Sequence, residues 1–506
     1  MQRNSLLKNV IFGFLSWFLP LGLSFVATPL IVRGLGVENF GVYTLVLGFV
    51  SYSFTFNVGR AILKYVSEFQ ANRQTEKIGE VISATLLLNL FVGGTGMTLL
   101  IFIARWLVAD ILKIDAGFQD EAVTGFYIAA VIIFMTMLNQ SFSAVVQAVH
   151  RFDIYSYITV STSSILAGGN ILLIQLHPQI AVLLLWNLGL LVLSNLVFYF
   201  YGRRLLPDFK LTFGFPKEIL WLVLKYSLAV SVSQLLGNLL LLFERSWIAS
   251  RLGTEAVTYY VISLNLGIYI HAFITSSTLA LFPLASAVRS LGETAKLLTI
   301  YTKATKIVFA LAAFLCLTLI SGRVYILHLW LGDDFVRNSS ATLITHALTF
   351  GLLAVVVISF QIIEGAGLPG VGTIITLGWL ILSVPLMVFL INDYGIFGVG
   401  AARLIGAMVF IPGVLYIEKK VFGRVQWRFW LKTLPVIGIA CLVAAVVEVL
   451  MFQRLPISFV NLLSGAGLGG TVFGLTLLLT GFLSRNEKQW AVNLINSRIF
   501  KINRIG

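Results

Sequence analysis

Leu35-Gly36-Val37-Glu38-Asn39-Phe40-Gly41-Val42-Tyr43 and Leu252-Gly253-Thr254-Glu255-Ala256-Val257-Thr258-Tyr259-Tyr260 share the pattern Leu-Gly-x-Glu-x-x-x-x-Tyr, 217 residues apart. Each copy falls between the first two long apolar stretches of its half of the chain. A polar turn recurring at the same place in two hydrophobic halves marks a duplicated membrane bundle. Parallel repeats of this kind are one way transporters build two lobes around a shared site. The pattern favours a carrier over an enzyme.

Composition points the same way. Of the 506 residues, 58% are apolar and 11% charged, against roughly a quarter charged in a soluble domain. Mean hydropathy is +0.95. A span needs about 20 apolar residues to cross roughly 30 Å of hydrocarbon. Fourteen such stretches are predicted, at 9–31, 40–63, 81–104, 123–149, 154–176, 179–201, 223–243, 256–280, 304–327, 341–364, 370–391, 395–417, 431–452 and 458–483. All are read as helices, because an open sheet cannot satisfy its backbone in lipid. The first is too long for a signal-peptide core and is expected to stay in the mature protein.

The expected fold class is an all-α polytopic membrane protein of two six-helix lobes plus two extra C-terminal helices. Residues 1–201 form the first lobe and 202–222 a linker on the cytoplasmic side, whose Gly202-Arg203-Arg204, Pro207-Asp208 and Phe215-Pro216-Lys217 are turn-rich and basic. Residues 223–417 form the second lobe, and 418–506 the last two spans with a cytoplasmic tail. Within 285–303, Val288, Leu291, Leu297 and Leu298 are interspersed with Arg289, Lys296 and Lys303. That pattern suits either an interfacial amphipathic helix or a solvated connector.

Orientation follows from the basic residues, which gather in cytoplasmic segments. With the N-terminus inside, 25 of the 35 Lys and Arg lie in inner segments, 8 in outer ones, and Arg60 and Arg403 within spans. Both termini are therefore expected in the cytoplasm. The net charge of +14 is then a topology signal and an attraction for anionic membrane lipids; it gives no reason to invoke nucleic acid. Cys316 and Cys441 sit in apolar stretches as packing residues, and neither a disulfide framework nor a metal motif is available. No cofactor is called for.

Ionisable groups inside a membrane are costly and mark function by default. Arg60 sits near the cytoplasmic end of the second span with Lys64 one turn on; it either snorkels to headgroups or attracts an anionic ligand at a cavity mouth. Arg403 follows Gly398, Gly400 and two alanines, small residues that permit close helix approach, so a buried or cavity-facing role is expected. Glu244 and Arg245, adjacent near the outer end of the seventh span, are a candidate gate, ligand contact or interfacial pair. His271, at mid-depth of the eighth span, is either a packing residue or a proton-coupling group, since histidine titrates near neutral pH. Glu364 reads as a boundary residue and Glu448 as peripheral to transport. Mid-depth amides, Asn139 and Asn238 among them, either join helices or line a cavity for a hydroxyl-rich headgroup. Pro20 and Pro385 should bend their helices.

Several stretches resemble one family. Pro29-Leu30-Ile31-Val32-Arg33-Gly34 running into the first turn, Phe282-Pro283, Leu329-Trp330-Leu331-Gly332-Asp333-Asp334-Phe335 and Tyr394-Gly395-Ile396-Phe397-Gly398-Val399-Gly400-Ala401-Ala402 are similar to landmarks of the polysaccharide repeat-unit (O-antigen-type) flippases. These belong to the multidrug/oligosaccharidyl-lipid/polysaccharide exporter superfamily. The resemblance spans nearly the whole chain. It implies a V-shaped pair of lobes alternating between inward- and outward-open states in the inner membrane. The cargo it implies is an undecaprenyl-diphosphate-linked sugar unit, with a glycan polymerase or ligase of the same pathway as a partner. Where the family often has an acidic residue in an Asp-x-Gly pattern, this chain reads Asn57-Val58-Gly59-Arg60. That acid's coupling role does not carry over, whereas Arg60 would suit a diphosphate.

No Gly-rich phosphate-binding loop of the ATPase kind is present, so an ion gradient or the membrane potential is the expected energy source, at about 2.3 kcal/mol per charge per 100 mV. Arg60, Arg403, Arg245, Asn139 and Asn238 are the candidate headgroup contacts, with His271 and Glu244 as candidate coupling groups. A drug or cation antiporter of the same superfamily is the alternative, although it would want mid-membrane carboxylates that this chain largely lacks. A glycan-polymerising enzyme would want a large outer catalytic loop, and the longest outer loop runs only from Arg105 to about Ala122.

Overall fold

Long apolar runs punctuated by glycine and proline fold into helices that pair their own backbone groups. The computed structural model describes residues 3–53, 58–71, 74–206, 217–278, 281, 288–289 and 292–482, among which there is no strand. The first lobe contains α1 (Arg3–Leu35), α2 (Val37–Tyr52), α3 (Gly59–Ala71), α4 (Thr75–Trp106), α5 (Gln119–Ala148), α6 (Phe152–Leu176) and α7 (Ile180–Leu205). The second contains α8 (Lys217–Thr278), α9 (Thr294–Ser321), the short α10 (Arg323–Leu331), α11 (Asp333–Gly365), α12 (Pro369–Ala407) and α13 (Phe410–Phe422). Two further helices follow, α14 (Trp427–Arg454) and α15 (Phe459–Leu479).

Among the described residues, ten helical runs are long and apolar enough to cross a bilayer. Two of them are hairpins. The 62 residues of α8 would reach about 93 Å if straight, but the chain leaves helical geometry at Gly253 and Glu244 ends up beside Tyr260. Likewise α12 turns at Gly395, which brings Gly378 against Val409 and Gly406 against Ser383. Those hairpins add two crossings, and α1 and the α2–α3 pair supply two more, giving the fourteen expected. Pro20 and Pro385 lie inside continuous helices.

The twin turns adopt one conformation. Gly36 has φ 81° and ψ 162°; Gly253 has φ 83° and ψ 174°. This region is essentially closed to residues with a Cβ, which explains why glycine occupies both positions. The two turns also dock on each other. The Thr258 hydroxyl donates to the Val37 carbonyl at 2.6 Å, and a Cβ on Gly41 would fall on the Thr254 carbonyl oxygen. At the same end Trp330 stacks on Phe25 with centroids 4.5 Å apart and donates its Nε1–H to the Phe25 carbonyl at 3.0 Å. We call this the turn end. At the opposite, basic end Tyr65 of α3 meets Tyr226 of α8 edge to face at 5.6 Å, and Lys64 Nζ lies 4.6 Å from the Tyr226 ring centre. The two lobes thus approach each other at both ends.

One apolar core runs through both lobes and includes Leu35, Phe40, Tyr43, Val257 and Tyr260. A second, at the basic end, joins Ile62, Val81 and Val145 to Ile219 and Val223. A third, with Ala310, Ile437, Ala440 and Phe473, fastens α14 and α15 to α9. Phe102, Phe389 and Leu442 are exposed on the flanks, as side chains facing acyl chains should be.

Three expectations meet the helix bounds as follows. Of the linker expected over 202–222, residues 202–205 continue α7 and 217–222 begin α8; residues 207–216 lie outside the described residues. From Thr294 onward the stretch 285–303 is the first part of α9, with 285–287 and 290–291 outside the described residues, so no separate interfacial helix exists over 294–303. The second span is described as α2 and α3 on either side of residues 54–57, which contain Asn57 and also lie outside them.

Candidate functional site

Glu244 and Arg245 lie nine and eight residues before the Gly253 turn. Neighbours on a helix point about 100° apart, and these two serve different lobes. Glu244 faces into the second lobe. Arg245 reaches into the first, donating from Nη1 to the Thr44 carbonyl at 2.9 Å, packing against Gly48 and covering the Tyr52 ring at 5.1 Å.

Arg403 arrives opposite Glu244 because α12 comes unusually close to α11. A Cβ at Gly400 would collide with Thr345 Oγ1, and Arg403 follows one turn later. One guanidinium nitrogen, Nη1, lies 2.6 Å from Oε1 and 2.5 Å from Oε2 of Glu244. The side chains are 2% and 0% exposed. The Arg403 guanidinium also sits over the rings of Phe350 and Trp379, 5.0 Å from each, and Trp379 Nε1 donates to the Arg403 carbonyl at 3.2 Å.

Two further polar groups complete the cluster. His346, one turn before Phe350, meets the Tyr260 ring edge to face at 4.7 Å, and neither of its ring nitrogens has a hydrogen-bond partner among the described residues. Tyr260 feels both Glu244 and Arg403. A charged pair sealed this deeply is held by mutual attraction, and removing one member would leave an uncompensated buried charge.

The other predicted residues lie elsewhere. Arg60 is exposed at the start of α3 and lies close enough to Glu364, at the basic end of α11, for their charges to interact. Asn139 donates to Ser194 Oγ at 3.2 Å and lines a cleft of about 240 Å³ with Tyr155, Thr159, Ser163 and Asn187 between α5, α6 and α7. Asn238 is half-buried, six residues before Glu244. His271 is half-buried too, its ring 6.3 Å from that of Phe350, the ring over which Arg403 sits. The structure thus joins Glu244 to Arg403 and leaves Arg60 and Asn139 apart.

Sequence reading missed His346, Trp379 and Phe350, whose residue types are ordinary in apolar helices. Tyr260 had a signal: it ends the second copy of the repeated pattern, so the turn motif reaches into the charged cluster. Two buried acids were also undervalued. Glu418 accepts from Tyr301 Oη at 2.9 Å, Trp430 Nε1 at 2.9 Å and the Gln426 amide at 2.8 Å. Glu448 accepts from Thr318 at 3.0 Å and from Ser321, and a Cβ on Gly469 would collide with it, so it pins α14 and α15 to α9.

With the geometry in place, known proteins supply a context. A family model described as "Polysaccharide biosynthesis protein" matches residues 6–289. A Shigella flexneri protein described as an O-antigen transporter is 23% identical over 401 residues, 78% of this chain and 93% of its own. Among solved structures, lipid II flippase MurJ in an inward closed conformation superposes with a TM-score of 0.71 at 16% identity, over 93% of this chain and 98% of that one. An inward-facing multidrug resistance MATE family transporter of the MOP superfamily gives 0.63 at 18% identity, over 84% and 96%.

Proposed function

The chain belongs to the polysaccharide biosynthesis protein family, and on that premise we propose that it carries polyprenyl-diphosphate-linked oligosaccharide units from the inner to the outer leaflet by alternating access. The observation that carries this reading is the family match joined to the similarity, over 78% of this chain, to a protein described as an O-antigen transporter. The protein is a multi-pass membrane protein. We take the basic end as cytoplasmic, on the strength of the charge bias, which sets the turn end outside and both termini inside. The lobes then divide at about 1–201 and 223–417, with 418–506 as an accessory unit.

In this scheme the sugar headgroup crosses between the lobes while the polyprenyl tail stays in lipid. Arg60, exposed at the basic end, meets the diphosphate. The docked twin turns form the outer gate, Arg245 ties α8 to α2 beneath it, and Glu244 with Arg403 forms the coupling element. Protonation that neutralises Glu244 would release Arg403 and loosen α12 from α8, which is a differential contact between two states of the kind a coupled carrier needs. His271 and the amides Asn139 and Asn238 are assigned to positioning within the lobes.

A drug or cation antiporter fits less well. Arg403 already compensates Glu244, which removes the free carboxylate that a cation would need. The test is genetic. Loss of the protein should trap the lipid-linked precursor in the inner leaflet and strip the surface glycan. Normal surface glycan together with raised drug sensitivity would replace the flippase reading with the antiporter one.

A further inference from the structure

Between α5, α6 and α7 the cleft of about 240 Å³ is walled by Asn139, Thr159, Thr162, Ser163, Asn187 and Ser194, and by no charged side chain among the described residues. It lies toward the basic end, since Ser143 also lines it and nearby Val145 belongs to the apolar core there. At roughly 30 Å³ per water the cleft has room for about eight waters, the size class of one sugar ring. Its polar groups are not on the rows that suit acyl chains. On α7 those rows hold the exposed Leu185, Leu193, Leu196 and Phe200, and on α6 Tyr157, Ile165, Leu172 and Leu176; the cleft residues recur at helical spacing on other faces. Asn139 donates to Ser194 Oγ at 3.2 Å, which fixes one wall. Polar demand continues beyond it. Asn170, next along the α6 row, is buried, and its Oδ1 has no hydrogen-bond partner among the described residues; nor has Nε1 of Trp186, beside Asn187.

Amides and hydroxyls both donate and accept, so this wall suits a ligand built of hydroxyls. A carboxylate placed among them would be buried with no cation to compensate it. Tyr155 and Phe198, with ring centroids 6.0 Å apart, add aromatic surface to the same cleft. An aromatic face carries a negative quadrupole, which attracts the C–H face of a pyranose. We propose that this cleft is a subsite for one neutral sugar ring of the carried oligosaccharide and that it rejects an acidic ring. The origin of that ring rests on the flippase reading above; the chemistry of the cleft does not.

The test uses the full chain in a sugar-free detergent, lauryldimethylamine oxide. Methyl glycosides of glucose, galactose, mannose, N-acetylglucosamine and N-acetylgalactosamine are titrated by saturation-transfer NMR beside the methyl glycosides of glucuronic, galacturonic and mannuronic acid. At least one neutral ring should bind saturably, and every uronic acid should bind at least about tenfold more weakly. Asn187→Leu and Thr162→Val should each lose about fivefold in affinity, one hydrogen bond apiece, and together about 25-fold. Ser164→Val, at an exposed position of α6, should leave affinity at the wild-type value. Should the double variant fail to fold, Ser163→Ala removes a single hydroxyl and should still lose about fivefold. Translocation of a labelled lipid-linked oligosaccharide in liposomes separates the two readings. Sugar binding that the cleft variants abolish, without translocation by the wild type, keeps the subsite and removes the flippase reading. Wild-type translocation with no sugar binding removes the subsite and keeps the flippase reading. Equal affinity for the uronic acids, unchanged affinity in the cleft variants, or an equal loss in Ser164→Val would also overturn the proposal.

Discussion

Arg403 and Glu244, 159 residues apart in sequence, bring one guanidinium nitrogen within 2.6 Å of both carboxylate oxygens at a point sealed from solvent. The pair ties α12 to α8, so it links the two hairpins of the second lobe. Breaking one member of such a pair costs about 3–5 kcal/mol, whereas replacing both with apolar groups of similar size is often near neutral. Arg403→Met and Glu244→Leu should each lower the melting temperature sharply, while Arg403→Met/Glu244→Leu should recover most of the loss. Simple additivity across that cycle would show that the two residues do not depend on each other.

The turn glycines give a second, independent prediction. At Gly36 and Gly253 the backbone stands at φ 81° and 83° with ψ near 180°, so Gly36→Ala and Gly253→Ala should each cost about 1–3 kcal/mol. Gly94 is a control inside a helix with open space around it, and Gly94→Ala should be neutral or stabilising by up to about 1 kcal/mol. Equal effects at all three positions would mean that the turn geometry is not what selects glycine.

These glycines show how much was legible beforehand. Apolar run lengths gave fourteen spans, and the repeated Leu-Gly-x-Glu pattern located two hairpin tips, because local chemistry dictates both. Glu244 and Arg403 were visible one at a time as charges too deep to be incidental. Their pairing was not visible, since a separation of 159 residues carries no record of which helix faces which. His346 was hidden for the same reason: only packing turns an ordinary imidazole into a neighbour of a charged pair. Glu448 was read as peripheral because it lies outside the repeat, yet its hydroxyl partners on α9 hold the accessory helices in place.

Docking of the twin turns predicts a lock. Thr258 and Val37 come from opposite lobes and are joined by a 2.6 Å hydrogen bond. Val37→Cys/Thr258→Cys should therefore cross-link on mild oxidation, visible as altered mobility on a non-reducing gel after cleavage between the lobes. Cross-linking should stop translocation, and reduction should restore it. Full activity in the cross-linked protein would show that the turns do not separate during the cycle.

Arg60 lies within electrostatic reach of Glu364 at the basic end, so its charge has two candidate uses: holding the lobes together or meeting the diphosphate. The account assigns the second. Arg60→Ala should raise the substrate concentration needed for half-maximal flux, and Arg60→Glu/Glu364→Arg should fail to rescue it. Recovery of wild-type flux in the charge swap would make the residue a gate latch.

The most direct measurement is translocation in liposomes. Purified protein is reconstituted with fluorescently labelled polyprenyl-diphosphate oligosaccharide, and the label reaching the far leaflet is quantified under an imposed ion gradient. The account predicts translocation well above that of protein-free vesicles, abolished by cross-linking Val37→Cys to Thr258→Cys and slowed in Glu244→Gln. Leaflet exchange no faster than in protein-free vesicles, with the protein folded and correctly inserted, would contradict it.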